Sequence, residues 1–365
     1  MPDAAPKKIQ LSYAEVTEDH KAAAMRALTS GRYILGPECK AFEEELAKFF
    51  GVPCAALCTS GTSAITLPLI AMGLKPGDEV IVPSLTAFPT PEGVYNAGLK
   101  AVYADIDDLY GMDPSHVRSL VGPRTVGIMP VHLYGQPVDL EPLRALAASK
   151  NLFFAEDNCQ AHGAKIGERR TGSFGKFAAL SFYFSKNLTV FGDGGAVLTS
   201  DAEIDRQVRK LRDHGRQEKY THERVGFNLR FNEIQAALGR VSLERLEAGN
   251  ESRRRSAALY RKLLTGVPGV QLPKERPGTT HVYHLFVIRI PNRDGVAAKL
   301  KAQNIETGIH YPVPNHLQPA VAKMGPQAPL PRTEKAVNEI LSLPMFPSLK
   351  EEDVARVAAA IKAAI

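Results

Sequence analysis

The feature that most constrains this chain is an alternation of short β-rich runs with helix-like segments. Glu79 to Pro83, Ala101 to Ile106, Val126 to Leu133 and Asn151 to Ala155 read as strands, and segments such as Asp139 to Ala148 between them read as helices. Parallel strands need such long crossovers, so the pattern predicts βαβ units and a mostly parallel sheet flanked by helices, an α/β fold. Ligands of an open α/β sheet collect beyond the carboxyl ends of the strands. Here those ends carry Glu156 and Asp157 after one run, and Ser185 and Lys186 after another, Ala178 to Phe184.

A carboxylate and an amine brought together by neighbouring strands suit a pyridine cofactor. Pyridoxal phosphate needs an amine to bind its aldehyde, a carboxylate against its ring nitrogen, and donors for its phosphate. Lys186 and Asp157 supply the first two. The turn Thr59-Ser60-Gly61-Thr62-Ser63 opens an apolar helix whose unpaired N–H groups would face an anion. Taken singly, a lysine after a strand is a solvated surface residue and an aspartate there is a turn former. The constellation carries the reading.

Other segments set boundaries. Thr17 caps a helix that Gly31 stops, and Pro37 to Phe50 places Phe42, Leu46, Phe49 and Phe50 on one face before Gly51. Asn232, with Gln235 three residues on, reads as a capping box opening a helix that closes the large domain. From about Asn250 a separate basic helix, Glu251 to Leu264, begins a small α+β region with strands around His281 to Ile290 and a helix from Arg293. The expected division is a cofactor-binding domain over residues 1–248, N-terminal segment included, and a C-terminal domain over 249–365. Gly167 to Gly172 has P-loop glycine spacing, but Ser173 stands where that loop needs lysine.

With 44% hydrophobic and 23% charged residues, the composition is that of an ordinary globular protein. The start MPDAAPKKIQ is too polar for a signal peptide and no apolar run is long enough to span a bilayer, so the expectation is a cytoplasmic protein without membrane contact. Cys39, Cys54, Cys58 and Cys159 lack metal-ligand spacing, and no metal is expected. The net charge of +6 suits nucleic acid or an anionic small substrate equally. No nucleic-acid module accompanies the basic run over residues 203–225, which otherwise reads as a solvated helix face.

The blocks GRYILGPECKAFEEELAKFFGV, SGTSAI, KPGDEVIVPSLTAFPT, EDNCQAHGA, SFYFSKNLTVFGDGG and GIHYPVPNHLQPA, in this order along nearly the whole chain, resemble the DegT family of sugar aminotransferases. The resemblance implies a fold-type I pyridoxal-phosphate enzyme: a large domain with a mostly parallel, seven-stranded-type mixed sheet, and a small C-terminal domain. It implies that Lys186 carries the cofactor, Asp157 pairs with the ring nitrogen, Gln160 sits beside the ring hydroxyl and Phe88 stacks on the ring. Gly61, Thr62 and Ser181 would hold the phosphate, with Asn228 reaching it from the partner in a homodimer with shared sites. Arg230, His310, Tyr311 and His316 would meet substrate. The implied reaction passes through pyridoxamine phosphate and aminates a nucleotide-linked keto-hexose, with an amino acid, glutamate, as donor. A free keto-sugar or keto-cyclitol is the alternative acceptor. Sugar dehydratases of this fold replace the lysine by histidine, whereas this chain keeps Lys186. A non-catalytic regulator of the same fold is the reading from a different class, and its sign would be an eroded site.

Overall fold

The computed structural model describes residues 7–365, so the first six residues of the polar start, on which the signal-peptide reading partly rests, lie outside the described residues. Two four-stranded ladders, joined where the chain runs from Phe153 to Asp157, form the central sheet among the described residues. Lys100–Ala104, Glu79–Pro83 and Thr125–Ile128 lie side by side in parallel, and Phe153–Phe154 follows. Extended chain continues past Ala155 into Glu156–Asp157, which pairs in parallel with Phe177–Ser181. Gly195–Thr199 then runs antiparallel between Phe177–Ser181 and the edge strand Cys54–Cys58. The sheet is therefore mixed and mostly parallel, in an α/β fold of the expected kind. The expected strand Val126 to Leu133 is shorter: Pro130 offers no N–H to a ladder, and Leu133–Gly135 forms a 3-10 turn in its place.

Helices cover both faces because the central strands are buried on both sides. One layer packs Phe42, Leu46 and Phe50 of Pro37–Phe50 on Leu57, Leu180 and Leu198; the other sets Ile65, Leu67 and Leu69 of Gly61–Ala71 against Ala179 and Val197. A separate core lies in the C-terminal region, where Tyr260, Phe286, Leu300, Leu341 and Ile361 meet. Ile9 from the chain start joins it, bridging to Ile305.

Two expectations about the polypeptide between residues 232 and 264 are corrected. Asn232 forms no capping box; its side chain bonds the Gln235 side chain at 3.0 Å and leaves the backbone alone. The two expected helices are one, Glu233–Leu264. Asn250, which looked like a break, is buried and spends its amide on the tertiary structure, donating to the His162 carbonyl at 2.9 Å and accepting from Asn187 at 2.8 Å. With those groups satisfied, nothing competes with the helix backbone there. Residue 248, the expected division, falls inside this helix, whose first half packs on the sheet and whose second half packs in the C-terminal core.

The basic run is only in part a solvated face: Arg206 and Lys219 are exposed, while others turn inward. Arg209 and the buried Arg212 both pair with Glu43 at 2.6 Å, Lys210 pairs with Glu223, and Arg216 with Asp213 at 2.5 Å. Most of that positive charge is spent within the chain.

Candidate active site

Asp157 sits at the carboxyl end of its strand, 3% exposed. Its Oδ2 accepts from the Thr90 hydroxyl at 2.7 Å and its Oδ1 from the Cys159 N–H at 3.1 Å. Among the described residues it makes no ion pair, which leaves a buried carboxylate without a cation against it. Such a group is costly unless something positive completes it.

Lys186 follows the neighbouring strand and turns back through a bond from its N–H to the Tyr183 carbonyl, 2.8 Å. Burial holds its amine below the ordinary lysine range, against the charges of Asp157 and Cys159, which act the other way. The amine's charge in turn reaches His162, His284 and His310. Lys186 and Asp157 therefore share one site without forming a salt bridge.

The helix Gly61–Ala71 points its N-terminus at this site. Ser60 caps it, taking the Ser63 N–H at 3.1 Å, and the N–H groups of Gly61 and Thr62 have no intrahelical acceptor. A Cβ on Gly61 would lie 2.8 Å from the Ser181 Cβ and 3.0 Å from the Cys159 sulfur, so only glycine lets the helix start approach Ser181 this closely. Gly61, Thr62 and Ser181 converge as expected for an anion site.

Gln160 is held from two sides. The Tyr134 N–H donates to its Oε1 at 2.9 Å, and its Nε2 donates to the Tyr311 hydroxyl at 3.1 Å. His310 donates or accepts at Ser342 Oγ, 2.8 Å, and burial together with the Lys186 charge lowers its pKa to about 4, so its ring is neutral. Tyr311 thus stands beside Gln160, and His310 within reach of the Lys186 charge. His316, expected with them, is placed elsewhere: it is 1% exposed, with Ser84 at 2.6 Å on Nδ1 and Glu334 at 3.1 Å on Nε2. Both nitrogens are occupied, so it braces the loop from beneath. Phe88 caps the helix Pro89–Asn96 and is partly buried against the helix layer of the sheet. Asn228 and Arg230 lie apart, near the exposed hairpin Arg216–Glu218 and Thr221–His222; Asn228 is exposed, and Arg230 reaches Asp213 at 3.2 Å. Sequence reasoning missed Thr90, although it stands two residues after Phe88, which was already assigned to the site.

The residues fit pyridoxal phosphate on the chain's own geometry. The unpaired Asp157 carboxylate awaits a positive ring nitrogen, Lys186 offers an amine eased toward its neutral form, and the start of Gly61–Ala71 offers N–H groups to a phosphate. Fold and site together define a fold-type I pyridoxal-phosphate enzyme.

Comparison with known proteins narrows that class. The model of the DegT/DnrJ/EryC1/StrS aminotransferase family matches residues 14–362. A dTDP-3-amino-3,4,6-trideoxy-alpha-D-glucose transaminase of Streptomyces venezuelae is 43% identical over 97% of this chain and 94% of its own length. A UDP-N-acetyl-3-dehydro-alpha-D-glucosamine 3-aminotransferase of Acidithiobacillus ferrooxidans is 42% identical over 92% of this chain and 91% of its own. The crystal structure of DesV from S. venezuelae in complex with a ketimine intermediate superposes with a TM-score of 0.94, at 42% identity and 98% coverage of both chains. The chain belongs to the DegT/DnrJ/EryC1/StrS aminotransferase family. Among the described residues no helix is long and apolar enough to cross a membrane.

Proposed function

We propose that this chain is a pyridoxal-phosphate-dependent aminotransferase that converts a nucleotide-linked keto-hexose to an amino sugar, with glutamate as donor. The observation that carries the reading is that a buried Asp157, in no salt bridge among the described residues, and a lysine of lowered pKa share one site at adjacent strand ends. Relatives named for dTDP- and UDP-linked sugars support the acceptor class, and they differ in the nucleotide.

Bound in this site, the cofactor supplies an electron sink for the carbon that gains or loses the amine. The chain does the rest. Lys186 holds the cofactor and, when released, moves a proton at its Nζ; its lowered pKa favours the neutral amine that can accept one, a role worth about 10²–10⁴-fold in rate. Asp157 holds positive charge on the ring nitrogen. Gln160, fixed by Tyr134 and Tyr311, lies beside the ring hydroxyl, and Gly61, Thr62 and Ser181 take the phosphate. Phe88 would stack on the ring. Neutral His310 and Tyr311 would face the sugar; Arg230, apart from these residues within one chain and bonded to Asp213, would have its remaining donors free for the amino donor's carboxylate in a shared site.

We further propose a homodimer with shared sites. The hairpin region beside Asn228 exposes Tyr220 (82%) and Val225 (93%), apolar surface suited to a second copy, and Asn228 there would reach the partner's phosphate. The cofactor-binding domain would run to residue 248 and the C-terminal domain from 249, with the helix Glu233–Leu264 spanning the boundary. All four cysteines are unpaired, which suits the reducing cytoplasm.

The test loads the purified protein with pyridoxamine phosphate, adds keto-sugar nucleotides, free keto-sugars or 2-oxo acids, and follows return of the aldehyde form by absorbance. Keto-sugar nucleotides should reoxidise the cofactor best. Turnover with 2-oxo acids alone across a broad panel makes the enzyme an amino-acid transaminase, and a preference for free keto-sugars removes the nucleotide.

A further inference from the structure

Asp157 does not stand alone. The Thr90 hydroxyl lies 2.7 Å from its Oδ2 and 3.0 Å from the Thr86 hydroxyl, and all three residues are buried. An ionised carboxylate only accepts, so the single proton of Thr90 goes to Asp157. The Thr86–Thr90 contact is then a hydrogen bond only if Thr86 donates. Two hydroxyls are thereby polarised in one direction, toward the carboxylate, and fix where its oxygens point.

The same pair is tied to the substrate side. The Thr86 carbonyl accepts from the Asn315 amide at 3.0 Å, and the Asn315 N–H donates to the Ser84 carbonyl at 3.0 Å. Asn315 belongs to the loop that carries His310 and Tyr311, and Tyr311 accepts from Gln160, three residues after Asp157. Contacts and two stretches of chain close a ring: from Asp157 through Thr90 and Thr86 to Asn315, along the chain to Tyr311, across to Gln160 and back along the chain to Asp157. The orientation of the carboxylate is thus fixed by the loops that meet the cofactor and the sugar.

We propose that Thr90 is a positioning residue: with Thr86 behind it, it holds the Asp157 carboxylate aimed at the cofactor's ring nitrogen, and Asn315 links that aim to the His310–Tyr311 loop. The proposal rests on the cofactor reading above and adds to it a role for two hydroxyls. Its action is through Asp157, because neither hydroxyl needs to touch the reacting atoms.

The test compares Thr90→Val, which keeps the shape and removes the hydroxyl, with Thr90→Ser, which restores it, and with Asp157→Asn. The readouts are the dissociation constant for pyridoxal phosphate added to apo-protein, the absorption band of the bound cofactor, kcat and KM separately, and the melting temperature of the apo-protein. Thr90→Val should weaken cofactor binding about tenfold, the scale of one charge-assisted hydrogen bond, and move the absorption band toward that of Asp157→Asn. The same variant should lower kcat with the sugar KM unchanged, and Thr90→Ser should reverse all three changes. Thr86→Val should shift affinity and spectrum in the same direction by less. If Thr90→Val lowers only the apo melting temperature and leaves affinity and spectrum as in the parent, Thr90 is merely structural and the proposal is overturned. If the parent protein itself binds no pyridoxal phosphate, the cofactor reading fails first, and the two failures are told apart.

Discussion

Glu233 offers the sharpest test of how this fold is held. The helix Pro37–Phe50 begins at Gly36, which has no side chain to cap it, and Pro37 has no N–H to satisfy. The remaining donors converge on one carboxylate. Gly36 and Cys39 donate to Glu233 Oε1 at 2.8 and 2.9 Å, and Glu38 donates to Oε2 at 2.9 Å, with Glu233 1% exposed. Hydrogen bonds to a charged acceptor contribute about 1.5–3 kcal/mol each, and a buried anion at a helix N-terminus gains up to about 2 kcal/mol from the dipole. These terms overlap and are not additive. Glu233→Ala leaves three donors without their acceptor, that of Cys39 buried and those of Gly36 and Glu38 half-buried, and should destabilise the protein by about 3–5 kcal/mol, a large share of the roughly 5–15 kcal/mol that holds a typical domain. Glu233→Gln keeps one acceptor oxygen but turns an NH2 toward a donor, for a loss of about 2–3 kcal/mol. Urea unfolding of the apo-protein, followed by far-ultraviolet circular dichroism at one protein concentration, reads both values from the midpoints at unchanged slope. The loss would also loosen Phe42 and Leu46 from Leu180 and Phe182, on the strand that presents Ser181 and leads to Lys186. A loss under about 1 kcal/mol for Glu233→Ala would refute the idea that this remote carboxylate caps the helix.

Acid should weaken the fold earlier than carboxylates alone would dictate. Burial lowers His162 and His281 to about 3 and His310 to about 4, and holds His284 well below the usual range; the Lys186 charge adds to this at His162, His284 and His310, and Arg261 does so at His281. An unfolded imidazole takes its proton near pH 6.5, so the stability these groups contribute is whole above 6.5 and is lost as pH falls toward their folded values, by about 1.4 kcal/mol per pH unit for each fully shifted group. Urea midpoints should fall between pH 6.5 and 4.5, and a flat profile there contradicts neutral burial. For the shared site, mixed dimers of an inactive Lys186→Ala chain and an inactive Asn228→Ala chain should regain part of the activity; verified mixed dimers without any recovery argue against sharing.

The alternation of strand and helix, the stop at Gly51 and the cap at Thr17 were legible in the sequence because each depends on residues within a turn or two: periodicity, glycine in the left-handed region, a hydroxyl three residues from its N–H. Lys186 and Asp157 were legible for the same reason, since each directly follows a β-rich run and strand ends are where such a sheet gathers chemistry. Tertiary structure decided the rest. Thr90 meets Asp157 across 67 residues and Glu233 caps a helix that starts almost 200 residues earlier, bonds that exist only once the layers have packed. Asn250 reads locally as a helix breaker, yet stays helical because His162 and Asn187 satisfy its amide. His316 reads like His310, and only the neighbours supplied by Ser84 and Glu334 separate a buried brace from a ring beside the site. Local pattern fixes where the chain turns and which face it buries; the partner of a buried polar group is chosen by whatever the fold brings within about 3 Å of it.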